Sequence, residues 1–201
     1  MAQALEATSG FKVREADVAH GVDRRLRDLL ISWSGAVVAI VMIALGAAAI
    51  YGGSFALTNV RDRLEPQKIT FPPASAMAPA ETAAIGQFAG QNVDTGTEAE
   101  AFSRYIGGHL AEVNDGATYA ETSSAARAEG ISEKKAAELQ GMADTLFKGE
   151  TLRGMLLNAY GWWTVGQITL YAGIGLMFAG LALALLAGLG FRHARKVKST
   201  A

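Results

Sequence analysis

Two long charge-free stretches constrain this chain more than any other feature. The first runs from Leu29 to Val60, between Asp28 and Arg61, and the second from Gly154 to Phe191, between Arg153 and Arg192. A transmembrane helix needs about 20 apolar residues to cross roughly 30 Å of hydrocarbon, so each stretch is long enough. The expected fold is an all-α membrane protein, a two-pass transmembrane helical hairpin with a small α-helical extracytoplasmic domain. The expected division is a cytoplasmic segment at 1–30, a first span at 31–57, a proline-rich extended arm at 58–80, a helical domain at 81–160, a second span at 161–191 and a basic tail at 192–201.

Charges beside the spans set the expected orientation, because Lys and Arg stay on the cytoplasmic side. Arg24, Arg25 and Arg27 precede the first span, and Arg192, Arg195, Lys196 and Lys198 follow the second. Arg61, Arg63, Lys68, Lys148 and Arg153 flank the other ends more sparsely. Both termini are therefore expected in the cytoplasm of a plasma-membrane protein, with residues 58–160 outside. Trp33 and Phe191 are expected at the inner interface, and Tyr51, Phe55, Tyr160, Trp162 and Trp163 at the outer one, where aromatic rings meet headgroups. Ser54-Phe55-Ala56 loosely fits a signal-peptide cleavage site, but the apolar run Ile31–Leu57 far exceeds the core of about 7–15 residues that such a peptide has. A retained anchor is expected.

Small residues recur at four-residue spacing within the spans: Gly35 and Ala39, then Ala44, Ala48 and Gly52, and in the second span Gly180, Ala184 and Gly188. Such stripes let helices approach closely, either leg to leg or against a partner's helices; an Ala- and Gly-rich composition also produces the spacing. Neither span holds an Asp, Glu, Lys, Arg or His, which argues against proton relays, ion paths and haem ligation within them.

The segment Thr58–Val165 has nine Lys/Arg and fourteen Asp/Glu, the wrong sign for nucleic-acid binding. With no cysteine in the chain, disulfides, thiolate metal sites and a Cys nucleophile are excluded. All four prolines lie between 66 and 79. Around them Gln67–Phe71 alternates polar and apolar residues, as an extended segment does. Beyond Pro79 the pattern turns helical. Thr97 and Glu100 are read as a capping box, followed by Phe102, Ile106, Leu110 and Val113 at helical spacing. Asn114-Asp115-Gly116 predicts a turn. Thr118 is read as capping a short helix that ends near Gly130, and Ser132 a longer one with Ala136, Leu139, Ala143 and Leu146 on its apolar face. Bends are expected at Gly149, Gly154 and Gly161 where that helix runs into the second span.

No catalytic constellation emerges. His20, His109 and His193 fall in three different segments. His109, with Glu112 on the same helix face and Asp115 nearby, is the one candidate metal or catalytic group outside, and a hydrogen-bonded structural role is the commoner outcome. No nucleophile elbow accompanies Ser103, Ser123, Ser124 or Ser132, and Gly107-Gly108 lacks the Gly-Lys-Ser/Thr of a phosphate loop. Asp94, Glu98 and Glu100 lack EF-hand spacing. No catalytic, cofactor-binding or metal residue is assigned, and no cofactor is expected. Val18, Gly21/Val22 and Leu29 suggest an amphipathic helix along the inner interface, and the basic tail suits anionic lipid.

The run Pro66-Gln-Lys-Ile-Thr-Phe-Pro72, the segments Asn92-Val-Asp-Thr-Gly and Tyr105-Ile-Gly-Gly-His-Leu110, and the stretch Leu146–Tyr160 resemble a family of small actinobacterial two-span membrane proteins. Some members carry the automatic name "aromatic ring-opening dioxygenase". The resemblance covers most of the chain between the spans and implies no functional residue. A non-haem iron oxygenase needs two His and a carboxylate on one metal, and only His109 is available outside. The expected function is non-enzymatic: an accessory or structural subunit that docks onto other membrane-protein subunits or self-assembles in the lipid bilayer. The alternatives are an extracytoplasmic ligand-binding or sensor module, its pocket lined by Phe102, Tyr105, Tyr119 and Phe147, and, more remotely, an enzyme centred on His109.

Overall fold

The computed structural model describes residues 2–196, with side chains from Arg25 to Lys196. The side chains of Val18, His20, Gly21, Val22 and Arg24, and the tail residue Lys198, lie outside the described residues. The structure is 85% helical, with no β-strand among the described residues. Two long helices, α1 (Ala2–Leu64) and α5 (Glu133–Lys196), enclose the short helices α2 (Pro79–Ile85), α3 (Gly96–Ala111) and α4 (Tyr119–Ala125) in sequence. The chain divides into two compact units: a two-helix unit drawn from Met1–Tyr51 and Leu170–Ala201, and a connecting unit, Gly52–Thr169.

Both α1 and α5 contain stretches long and apolar enough to cross a membrane. Only 17% of the most apolar window of α1 and 11% of that of α5 is buried. A core helix of a water-soluble domain buries such a window; here Leu30, Ile40, Phe178 and Leu185 stay 67% or more exposed. Side chains of this kind suit hydrocarbon rather than water.

Within the connecting unit α1 continues through the charged residues Arg61–Arg63 and stops at Leu64, where Pro66 enters a single 3-10 turn, Glu65–Gln67. Lys68 then adopts a left-handed conformation (φ 52°) that reverses the chain. Ile69–Phe71 runs extended against Gln91–Val93. Phe71 N–H donates to the Gln91 carbonyl at 2.9 Å and Val93 N–H to that of Ile69 at 2.8 Å. The proline segment packs on the connecting unit: Phe71 and Met77 are buried in the core, and Pro79 opens α2 from its first turn, where its missing N–H costs nothing.

The cap of α3 lies two residues before the expected Thr97/Glu100 pair. Thr95 Oγ1 accepts from Glu98 N–H, and the Glu98 carboxylate accepts from Thr95 N–H. Both Thr95 and Thr97 precede an acid by three residues; Thr95 is the one that caps, and Gly96 beside it lies against the Trp163 side chain, where a Cβ would clash. Thr118 and Glu121 form the expected box for α4, which ends at Ala125 rather than near Gly130. Asn114, Asp115 and Gly116 take left-handed conformations in the turn between α3 and α4. Helix α5 runs through Gly149, Gly154 and Gly161 without interruption.

Phe71 centres the core, stacked on Phe88 at 5.3 Å and edge-on to Phe102 at 5.1 Å. Val60 and Leu64 from α1 and Leu156 from α5 belong to the same buried cluster, with Ile85, Val93, Ala99 and Ala101. The connecting unit is thus built on the ends of the two long helices and shares its core with them.

Candidate functional site

The leg-to-leg seam follows a seven-residue repeat, not the four-residue stripes. In the two-helix unit α1 buries Ser32, Ala39 and Gly46, and α5 buries Gly173, Gly180, Ala187 and Ala194. The same spacing brings Gly53 and Val60 of α1, and Gly166 of α5, into the buried set of the connecting unit. Seven-residue periodicity keeps one face of each helix on its partner through left-handed supercoiling. Small residues at that position let the backbones meet. A Cβ on Gly180 would lie 3.2 Å from the Ala39 carbonyl oxygen, and one on Gly166 3.2 Å from that of Gly53. Of the residues marked by four-residue spacing, Gly35, Ala39 and Gly180 face this seam. Ala44, Ala48, Gly52, Ala184 and Gly188 are exposed instead, and a Cβ on Gly52 or Gly188 would meet nothing within 4 Å. The repeat is readable in the sequence as small residues at every seventh position.

Near residue 30 the two-helix unit joins its legs by polar and aromatic contacts. Trp33 meets Phe191 edge-on at 5.5 Å. His193 Nε2 lies 3.9 Å from Asp28 Oδ2. Ser32 Oγ donates to the Asp28 carbonyl at 2.7 Å and fills the space above Gly190.

The four aromatic residues expected to line one pocket are split between two places. Phe102 and Tyr105 extend the core as a ladder that ends on His109, 4.5 Å from Tyr105. Tyr119 and Phe147 pair separately at 5.6 Å on an exposed face. His109 Nε2 reaches Glu81 Oε1 of α2 at 3.3 Å, rather than Glu112 or Asp115. Among the described residues no three His, Asp or Glu side chains converge as a metal site needs.

Glu98 and Glu121 serve as helix caps. Burial and the neighbouring Glu98 carboxylate push the Asp94 carboxyl above its ordinary value. Burial also opposes the charge on Glu98, but the N–H groups of Asp94 and Thr95, at 2.9 and 2.8 Å, outweigh it and hold that carboxyl below its ordinary value. The Thr118 N–H and hydroxyl, each 2.8 Å from Glu121 Oε2, lower the Glu121 carboxyl likewise. Arg153 fastens α5 to α3: its Nε donates to the Ser103 carbonyl at 3.2 Å, its Nη1 pairs with Glu150 at 2.7 Å, and its guanidinium lies over Gly107.

A groove of about 740 Å³ lies in the connecting unit, between the end of α1 and the facing part of α5. Gly52, Phe55, Ala56, Val165 and Gly166 form its apolar end, and Asn59, Arg63, Gln67 and Asn158 its polar end, with Trp162 on its wall. Arg63 is its one charged lining residue; its Nε donates to Asn59 Oδ1 at 2.8 Å, and it has no carboxylate partner among the described residues. Trp162 is 59% exposed, whereas Trp163, expected beside it at the interface, packs against the core. Tyr51 and Trp33 stay outward, and Tyr160 is partly so. The groove is the feature that sequence reading missed; Asn59, Arg63 and Gln67, four residues apart at the end of an apolar run, are its trace in the sequence. Comparison with protein-family models, curated proteins and solved structures gives no match.

Proposed function

We propose that this chain is a two-pass protein of the plasma membrane that acts by binding rather than catalysis, as an accessory or structural subunit docked on other membrane chains or on its own copies. The segments before the first span and after the second lie in the cytoplasm, and the connecting unit lies outside. The cationic residues Arg24, Arg25, Arg27, Arg192, Arg195 and Lys196 support that orientation. The observation that carries the reading is the division of small residues in the two-helix unit. Its leg-to-leg seam is already occupied by Ala39, Gly46, Gly173 and Gly180, while Ala44, Ala48, Ala184 and Gly188 stay exposed among large apolar side chains. A flat outward strip of this kind accepts further helices.

Two measurements test it. The chain has no cysteine, so a single Ser132→Cys or Ser199→Cys substitution reports its own location. An impermeant maleimide on intact cells should label the Ser132→Cys variant and leave the Ser199→Cys variant untouched. Labelling of the Ser199→Cys variant, or of neither, defeats the orientation. Native mass spectrometry of the protein taken from its own membranes in mild detergent should give an assembly with defined partner masses or a homo-oligomer. A lone monomer would defeat the docking role.

A further inference from the structure

We propose that the groove of the connecting unit binds one anionic membrane phospholipid, with an acyl chain along Phe55, Ala56 and Val165 and the headgroup on Arg63. Three observations carry this. The groove's volume of about 740 Å³ lies within the roughly 300–1,000 Å³ of sites that hold small ligands. Its polarity is graded along its length. From Gly52 to Leu64 it follows α1 for about 18 Å, at 1.5 Å per residue, and passes from an end whose one polar side-chain atom is the Thr169 hydroxyl to an amide-and-guanidinium end. Finally, the only charge on its walls is positive: Asn59 occupies the Arg63 Nε, and the remaining N–H groups of the fork have no carboxylate partner among the described residues. A planar guanidinium of this kind suits a phosphate diester, which takes two parallel hydrogen bonds.

The sequence position fits an amphiphile of membrane origin. The apolar end falls inside the charge-free run that stops at Val60, and the polar end falls among the first charged residues beyond it. A phospholipid has the same order of apolar and charged parts. The site therefore rests on the membrane reading above, but it is independent of any docking partner.

The test uses the full-length protein in mild detergent, with phosphatidylglycerol or phosphatidylcholine added at matched ratios and bound lipid read by native mass spectrometry. One phosphatidylglycerol per chain should be retained, about tenfold more strongly than phosphatidylcholine, as one charge-assisted contact gives. Arg63→Gln should abolish that preference, whereas Arg61→Gln, which removes an equal charge outside the groove, should keep it. Gly52→Phe, at a lining position where a Cβ meets nothing within 4 Å, should fill the groove and remove retention of both lipids. A thermal melt of each variant checks folding. Equal retention of the two lipids by the unmodified protein, equal losses in Arg61→Gln and Arg63→Gln, or full retention by Gly52→Phe would overturn the proposal. Because the readout is made in detergent, it can fail while the cysteine labelling succeeds, and the reverse.

Discussion

A methyl group on Gly46 would stand 2.9 Å from the Gly173 carbonyl oxygen, and one on Gly173 would stand 2.8 Å from that of Gly46. Each glycine is small because the other helix's backbone occupies the place of its side chain. Gly46→Ala and Gly173→Ala should each destabilise the leg pair by about 1–3 kcal/mol, the usual cost of overpacking. Helix propensity acts the other way by up to about 1 kcal/mol. Gly188→Ala, which meets open space, should be neutral or slightly stabilising. Thermal unfolding in detergent separates the two classes; equal effects at Gly46 and Gly188 would mean the seam does not form.

Phe71 touches both Phe88 and Phe102 and is 2% exposed. Phe71→Ala should cost about 3–5 kcal/mol and loosen the proline segment with it. Faster proteolysis between residues 66 and 93, with the spans left intact, is the expected readout.

Gly96→Ala places a methyl group against the Trp163 side chain. The ring must leave its packed position, so tryptophan emission should shift to the red and the melting temperature of the connecting unit should fall. An unchanged spectrum would show that Trp163 is not held there.

Acid should weaken the connecting unit through its caps. Glu98 and Glu121 have carboxyls below their ordinary values when folded. Their contribution is present above the unfolded value, about 4.3 for Glu, and is lost as pH falls through the lower folded values. Asp94 has the opposite sign: its raised carboxyl favours the folded state at low pH and loses that contribution as pH rises through the folded value. Melting temperature should therefore fall on acidification below about pH 4, with the Asp94 effect partly offsetting it. Glu98→Gln should flatten the profile, since it removes one depressed carboxyl and relieves Asp94.

His109→Ala should leave stability nearly unchanged. The His109 side chain is 51% exposed and its contact with the half-buried Glu81 is one solvent-accessible pair, worth about 0–1 kcal/mol. A large loss of a cellular phenotype with an unchanged melt would instead point to a chemical role.

Much of the architecture was legible from residues whose effects are local. Absence of charge over Leu29–Val60 and Gly154–Phe191 is enough to mark two long apolar helices, because hydrocarbon solvation depends on composition along one segment. The Thr118/Glu121 cap and the Asn114-Asp115-Gly116 turn were readable for the same reason: their hydrogen bonds and backbone angles close within a few residues. The Thr95 cap was not, since Thr97 offers the same local chemistry, and Gly96 between them packs against Trp163, a residue distant in the chain.

What the sequence determined by itself was the helical class, the two apolar stretches and the lack of any cysteine-based chemistry. Tertiary structure decided which of the two small-residue spacings the legs use, that Phe71 and Met77 of the proline segment enter the core, and that Arg63 ends an apolar groove. Those outcomes depend on contacts between residues far apart in the chain, such as Gly46 with Gly173 or Phe71 with Phe102, and the local spacing of side chains does not specify which partner each face meets.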